Sequence, residues 1–216
     1  MEEGRREPWI VGVSGASGTP FAAAVLRALL AAGESVDLVV SRAARLTLLD
    51  ETGIAVRDGH WRADLRSWLA RGADGKPDTF LDRLPDLSGD AVRWWRPGDL
   101  AAGPSSGSYR ARGMLIVPAS TASVAGVALG LSKDLLQRAA SVTLKERRPL
   151  VVVVRETPLA GQTLRQLVAL DEAGAVVLPA SPAFYAGASH LQDVVDFVAG
   201  RALDAVGVEH DLYRRW

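Results

Sequence analysis

The chain has 216 residues, 48% of them apolar and 23% charged, with 25 lysines and arginines against 25 aspartates and glutamates. That length suits one domain, or one domain carrying an insertion, and the even charge excludes a global field that would recruit nucleic acid or an anionic membrane. With no cysteine, disulfides, thiolate catalysis, iron–sulfur clusters and cysteine-ligated zinc are excluded as well.

The opening stretch MEEGRREP is polar and mixed in charge, unlike a signal peptide. Residues 8–14 read as a buried strand that ends in a glycine-rich turn. A helix that is apolar almost all round follows over 19–32, with Gly33 as its stop. Arg27 interrupts it, and it is too short to span a bilayer, so a cytoplasmic protein is expected. Residues 35–41 form a second strand and 42–51 a second helix.

Residues 53–103 break the rhythm. They are rich in arginine, aspartate, glycine and proline and hold Trp61, Trp68, Trp94 and Trp95, four of the six tryptophans. They read as a family-atypical insertion or connection with a helix near 61–70 and a loosely ordered middle at 71–90. The tryptophans read as packing or interface anchors rather than ligands.

Strand 113–118 then feeds a small-residue segment, 119–130. Helix 132–144, strand 149–155, helix 158–172, strand 175–178 and a closing helix over 189–206 complete the order. Alternating apolar strands and helices predict a single α/β domain, a Rossmann-like (flavodoxin-like) doubly wound parallel sheet. Ligands then belong at the carboxyl ends of the strands.

The turn Gly12-Val-Ser-Gly-Ala-Ser-Gly18 lies between a strand and a helix. Its small residues let backbone N–H groups approach an anion at a helix start. Its Gly-x-x-Gly-x-x-Gly spacing is neither the dinucleotide fingerprint nor a Walker loop, and a tight packing turn would read the same way. The hydroxyls of Ser14, Ser17 and Thr19 tip the reading towards an anion. Arg138 and Lys145 fall seven residues apart, two turns along one helix face, so both can point at one ligand. Arg155 and Glu156 follow four valines at a strand end, the ligand edge of such a sheet. The three histidines, His60, His190 and His210, show no metal-binding spacing.

Taken together, the strings GVSGASGTPFA, VVSRAARLTL with Glu51 after it, SSGSYRARGMLIVPAST, LLQRAASVTLKERRPLVVVVRETPL, GAVVLPASPAFY and DLYRRW resemble the UbiX-type flavin prenyltransferases. The long run from RAA through LKERRPLV to RE is the specific part. The resemblance covers about three-quarters of the chain by inspection of those strings. The chain departs from the family at Ala119, where many members carry cysteine, and at Ser141, where aspartate is usual.

The resemblance implies an FMN site built from Gly15, Ala16, Ser17, Ser41, Ser120, Thr121, Ala122, Ser123 and Arg138. It implies that dimethylallyl phosphate is gripped by Ser105, Ser106, Gly107, Lys145, Arg155, Tyr185 and Arg201, some of them from a neighbouring subunit, with no metal. Family members are typically dodecamers, so the apolar helix at 21–32 is expected to be buried more fully than a monomer needs.

The implied reaction joins a dimethylallyl unit to N5 and C6 of reduced FMN and releases phosphate, giving prenylated FMN for a UbiD-type decarboxylase. Such an alkyl transfer needs a cationic cradle for the departing phosphate, assigned to Lys145, Arg155 and Arg201. It needs aromatic faces around an allyl cation, assigned to Tyr185 and Trp216. It also needs a base for the C6 proton: Glu156, which adjoins the phosphate, ahead of Glu51. Two other readings share the fold. A flavin-dependent cysteine-type decarboxylase would carry an early histidine and a Pro-x-Met-Asn motif, whereas the first histidine here is His60. A non-catalytic FMN-binding partner subunit would have no use for the phosphate grip.

Overall fold

The computed structural model describes residues 6–76, 87, 89–183 and 187–215. Six strands make one sheet: β1 (Trp9–Val13), β2 (Val36–Val40), β3 (Val92–Trp95), β4 (Gly113–Ala119), β5 (Leu150–Val154) and β6 (Val176–Pro179). Their order is β3-β2-β1-β4-β5-β6, and every adjacent pair is parallel. This is the doubly wound arrangement expected, with the order reversing between β1 and β4.

The helices are α1 (Thr19–Ala31), α2 (Arg42–Thr52), α3 (Trp61–Leu69), α4 (Thr121–Ala128), α5 (Leu135–Lys145), α6 (Gly161–Glu172) and α7 (Leu191–Asp204). Side chains alternate across the strands. Trp9, Val11, Val13, Leu38, Leu115 and Val151 pack towards α1, α3 and α7. Ile10, Val39, Met114, Ile116, Val152 and Val154 pack towards α4, α5 and α6. Strands buried on both faces therefore read as continuous apolar runs, as parallel strands do.

Helix α1 begins with Pro20 in its first turn, where a missing N–H costs nothing. Past its end Gly33 has φ 70°, and the Gly33 and Glu34 N–H groups donate back to Leu30 O and Leu29 O, the left-handed stop that glycine favours. The all-round apolar character of α1 is used within the chain, because α1 packs against the sheet, α7 and α3. Its interrupting Arg27 donates to the carbonyls of Leu69 and Arg71 at 3.2 Å each. Its burial therefore does not require the neighbouring subunits that the resemblance suggested.

Two sequence expectations need correction. Residues 92–95 form edge strand β3, paired with β2 from Val36↔Val92 onwards, where only a connection was expected. A run of four residues, one of them Arg93, is too short to show a period. The small-residue segment 119–130 contains a helix, α4, which Ser120 caps. The expectation of loose order in the middle of 71–90 falls mostly outside the described residues. No helix among those described is long and apolar enough to cross a membrane.

Candidate active site

Helices α1 and α4 leave the neighbouring strands β1 and β4 towards opposite faces, which opens a crevice at the carboxyl ends of those strands. Ser14 ties its two walls together. Its Oγ donates to Pro118 O at 2.9 Å and accepts from Ser120 N at 2.7 Å, and the side chain is buried. Gly15 lets the β1 turn lie against α2, since a Cβ there would come within 2.4 Å of the Ala43 Cβ. Gly18 has φ 112°, a conformation that side chains resist. Ala16 is buried in this turn and Ser17 exposed.

The start of α1 already holds an anion. Glu51, at the end of α2, accepts from Gly18 N and Thr19 N at 2.8 Å each and from Thr19 Oγ1 at 2.6 Å. Burial pushes the Glu51 carboxyl up, but the bonds from Thr19, Ser17 and Gly18 outweigh it and hold the group below its ordinary range. An incoming phosphate at this turn must therefore use N–H groups other than those of Gly18 and Thr19. The hydroxyls of Ser14 and Thr19, which tipped the sequence reading towards an external anion, are engaged inside the protein.

Two further helix starts face the same edge of the sheet. Ser41 caps α2 by accepting from Ala44 N at 3.1 Å. Ser120 caps α4 by accepting from Ser123 N at 3.3 Å, and its Oγ meets the Ser123 Oγ at 3.2 Å. These caps satisfy one N–H each. Other first-turn N–H groups, including that of the exposed Ala122, point outward from the helix end together with those of Thr121.

Arg155 follows β5, and its Cγ lies 4.0 Å from the point where a Cβ on Gly18 would stand. Its Nε is buried without a hydrogen-bond partner among the described residues, an unsatisfied donor beside the crevice. The neighbouring Glu156 is exposed, and its Oε1 accepts from Thr157 N at 3.0 Å. The crevice thus gathers Gly15, Ala16, Ser17, Ser41, Ser120, Thr121, Ala122, Ser123, Arg155 and Glu156 around one strand edge.

The remaining expected residues meet other partners or lie outside the described residues. Arg138 Nε donates to Ser105 O at 3.0 Å. Lys145, at the end of α5, pairs with Glu146, and a Cβ on Gly107 would meet that pair. Helix α5 runs back towards the start of β5, so Lys145 stands at the opposite edge of the sheet from Arg155. Arg138 and Lys145, expected to converge on one ligand, therefore have different partners within a single chain. Arg201 lines a cavity with Val176 and Phe197 on the outer side of β6 and pairs with Asp204 at 3.2 Å. Tyr185 and Trp216 lie outside the described residues.

Sequence reasoning missed a polar cluster beside α2. Trp94 stacks on Trp61 with ring centroids 6.1 Å apart, donates from Nε1 to Asp58 Oδ1 at 3.0 Å and carries the Arg45 guanidinium over its ring. Trp68 is fully buried. These three tryptophans act in packing, and the separate signals of Arg45 and Asp58 gave no hint of their pairing.

A family model described as Flavoprotein matches residues 1–203. The flavin prenyltransferase UbiX of Streptomyces coelicolor is 82% identical over 209 residues, covering 97% of this chain and 94% of that protein. Its Synechocystis counterpart is 41% identical, covering 97% and 96%. Among solved structures, AnUbiX (PadA1) in complex with FMN and dimethylallyl pyrophosphate superposes with a TM-score of 0.81 at 34% identity, covering 98% of each chain. A dodecameric FMN-dependent UbiX-like decarboxylase from Escherichia coli gives 0.78 at 34%, covering 97% and 98%. The cysteine decarboxylase TvaF, at 14% identity and 0.56, covering 93% and 98%, shares the fold alone.

Proposed function

The chain belongs to the UbiX flavin prenyltransferase family, and from that premise we propose that it joins the dimethylallyl group of dimethylallyl phosphate to N5 and C6 of reduced FMN. The observation that carries this reading is the switch-point crevice with the unpartnered Arg155 Nε beside it. Small residues on two sides admit a flat ring system, and free helix-start N–H groups with a half-buried arginine suit an anionic ligand. When bound, reduced FMN supplies the nucleophilic ring positions.

The chain's own residues do the rest. The turn at Gly15, Ala16 and Ser17, with Ser41 and the start of α4, orients the flavin. Arg155 stabilises the phosphate that departs as the C–O bond of the donor breaks. Glu156 takes the proton lost when C6 is alkylated and stands within reach of that phosphate. Glu51 is the weaker base, because its three donors hold it ionised and engaged.

Lys145, Arg201 and the Ser105, Ser106 and Gly107 segment lie away from Arg155 in one chain. We read them as contributions to a neighbouring copy's site, in keeping with the dodecameric relative. Tyr185 and Trp216 remain the aromatic candidates for shielding the allyl cation. The prenylated product is a cofactor, which makes a UbiD-type decarboxylase the proposed client.

Incubating the protein with reduced FMN and dimethylallyl phosphate, followed by mass spectrometry of the flavin, tests the reading. A gain of one C5 unit is expected; unmodified flavin overturns it. Glu156→Gln should retain FMN and lose most ring closure, and unchanged product would remove Glu156 from the mechanism.

A further inference from the structure

Asp37 interrupts the apolar run of β2. It stands in register with Ile10 of β1 and Arg93 of β3 and is 0% exposed. It shares a strand face with Val39, which packs towards α4, α5 and α6. Aspartate is almost never fully buried unless it is paired, and β-branched residues suit a strand interior better. A valine at this position would serve the sheet at least as well. What the carboxyl adds is a fixed acceptor, because the Tyr109 hydroxyl donates to Asp37 Oδ2 at 2.5 Å.

Tyr109 ends a segment, residues 105–109, whose alternate carbonyls are tied to the protein. Ser105 O accepts from Arg138 Nε at 3.0 Å, Gly107 O from Arg148 Nη2 at 2.9 Å and Tyr109 O from Arg148 Nη1 at 2.8 Å. The Tyr109 ring lies back against the approach to the segment, where a Cβ on Gly103 would come within 2.6 Å of it. The residues between are turned to solvent. Ser106 and Ser108 are exposed with their Oγ atoms 2.9 Å apart, and the N–H groups of Gly107 and Ser108 have no partner among the described residues. A Cβ on Gly107 would come within 2.5 Å of Lys145 Nζ, which is paired with Glu146. Hydroxyls, backbone N–H groups and an ammonium thus stand together, the donor types that a phosphate takes.

We propose that Asp37 is a positioning residue that, through the Tyr109 hydroxyl, holds the 105–108 segment in the shape that grips the phosphate of the prenyl donor. The inference rests on the proposed function, in which Ser105, Ser106, Gly107 and Lys145 take that phosphate for a neighbouring copy's site. It adds a buried link from the second strand of the sheet to that grip. A run of serines and glycine has many conformations, and ordering it at the moment of binding weakens affinity. Arg148 fixes two of its carbonyls, and the Tyr109–Asp37 bond anchors its end to the sheet, so the ordering is complete before the donor arrives.

The test replaces both partners together, Asp37→Val with Tyr109→Phe, because exchanging a bonded polar pair for two apolar groups of similar shape can be nearly neutral for folding. Tm should stay within about 4 °C of wild type. KM for dimethylallyl phosphate should rise about tenfold while kcat and FMN affinity stay within about twofold, the pattern of lost preorganisation for one ligand. A merely structural pair would lower Tm and FMN affinity together. An unchanged KM in the folded variant, or a loss of FMN affinity matching the rise in KM, would overturn the assignment.

Should the double variant fail to fold, Tyr109→Phe alone removes only the hydroxyl; it should raise KM by a smaller factor, and no rise refutes the proposal. Inorganic phosphate titrated into the FMN-loaded protein reads the grip without turnover, and hydrogen exchange over residues 103–110 reads the segment itself. The variant should bind phosphate more weakly and exchange faster over that segment. Those two changes uphold the role of Asp37 even if the wild type makes no prenylated flavin, an outcome that would sink only the assigned reaction. Unchanged phosphate affinity overturns the role whatever happens to the flavin.

Discussion

Replacing Glu51 by glutamine tests whether the internal carboxylate is what fixes the start of α1. The glutamine amide oxygen can still accept from both Thr19 donors, but its NH2 then faces the Gly18 N–H. One backbone donor is left without an acceptor, and the charge at the helix end is lost. Losing a charge-assisted bond costs about 1.5–3 kcal/mol, and losing the charge–helix interaction about 0.3–1 kcal/mol. The sum, about 2–4 kcal/mol, corresponds to a fall in Tm of about 4–16 °C for a chain of this length.

The pH dependence of that difference is fixed in sign. The folded pKa of Glu51 lies below the ordinary 4.5, so its contribution is fully present above that value and lost as pH falls through the folded pKa. Thermal or urea unfolding of both proteins from pH 8 down to about pH 3 measures the gap between them. It should stay constant to about pH 4.5 and then close as the pH falls further. No gap at pH 7, or a gap that closes between pH 8 and 6, would refute the assignment.

Ser14→Ala leaves the Ser120 N–H without its acceptor, so urea unfolding should show a loss of about 1–3 kcal/mol, with weaker FMN binding by fluorescence titration. Gly15→Ala forces the turn away from α2, because the new Cβ falls 2.4 Å from the Ala43 Cβ; FMN affinity should drop, and Ala43→Gly in the same chain should restore part of it. Deleting residues 211–216 removes Tyr213 and Arg215 from Asp204 and uncovers Phe197, so Tm should fall along with activity. A truncated chain that keeps its Tm would show that the tail packing is incidental.

The sheet was legible because four of its six strands, β1, β2, β4 and β5, are five residues or longer and buried throughout, which gives mainly apolar runs such as Leu150–Val154. Strand β3 was hidden because its four residues, VRWW, include a charged arginine, whereas the equally short edge strand β6 keeps an apolar VVLP. At the site, the glycine turn identified the crevice, but it did not show what fills it. Glu51 lies 33 residues from Gly18, and no local pattern announces a carboxylate that returns to cap an earlier helix. The same holds for Ser14, whose hydroxyl bridges to a loop more than a hundred residues away. The separation of Lys145 from Arg155 was by contrast readable in the element order, since a helix leading into a parallel strand ends at the edge where that strand begins, and Arg155 follows its far end.

The packing of α1 against α7 has a consequence for how the chain is made. The two helices come from opposite ends of the described sequence, and the apolar flank of α1 is completed only when α7 docks. During synthesis Leu26, Leu29 and their neighbours emerge long before the segment that covers them. The sheet also waits for its distant strands, since β1 pairs with β4 across about a hundred residues, a topology that folds slowly and leaves apolar surface exposed meanwhile. A chain that stalls before residue 191 should therefore present a sticky half-built core to chaperones and proteases rather than a smaller folded protein.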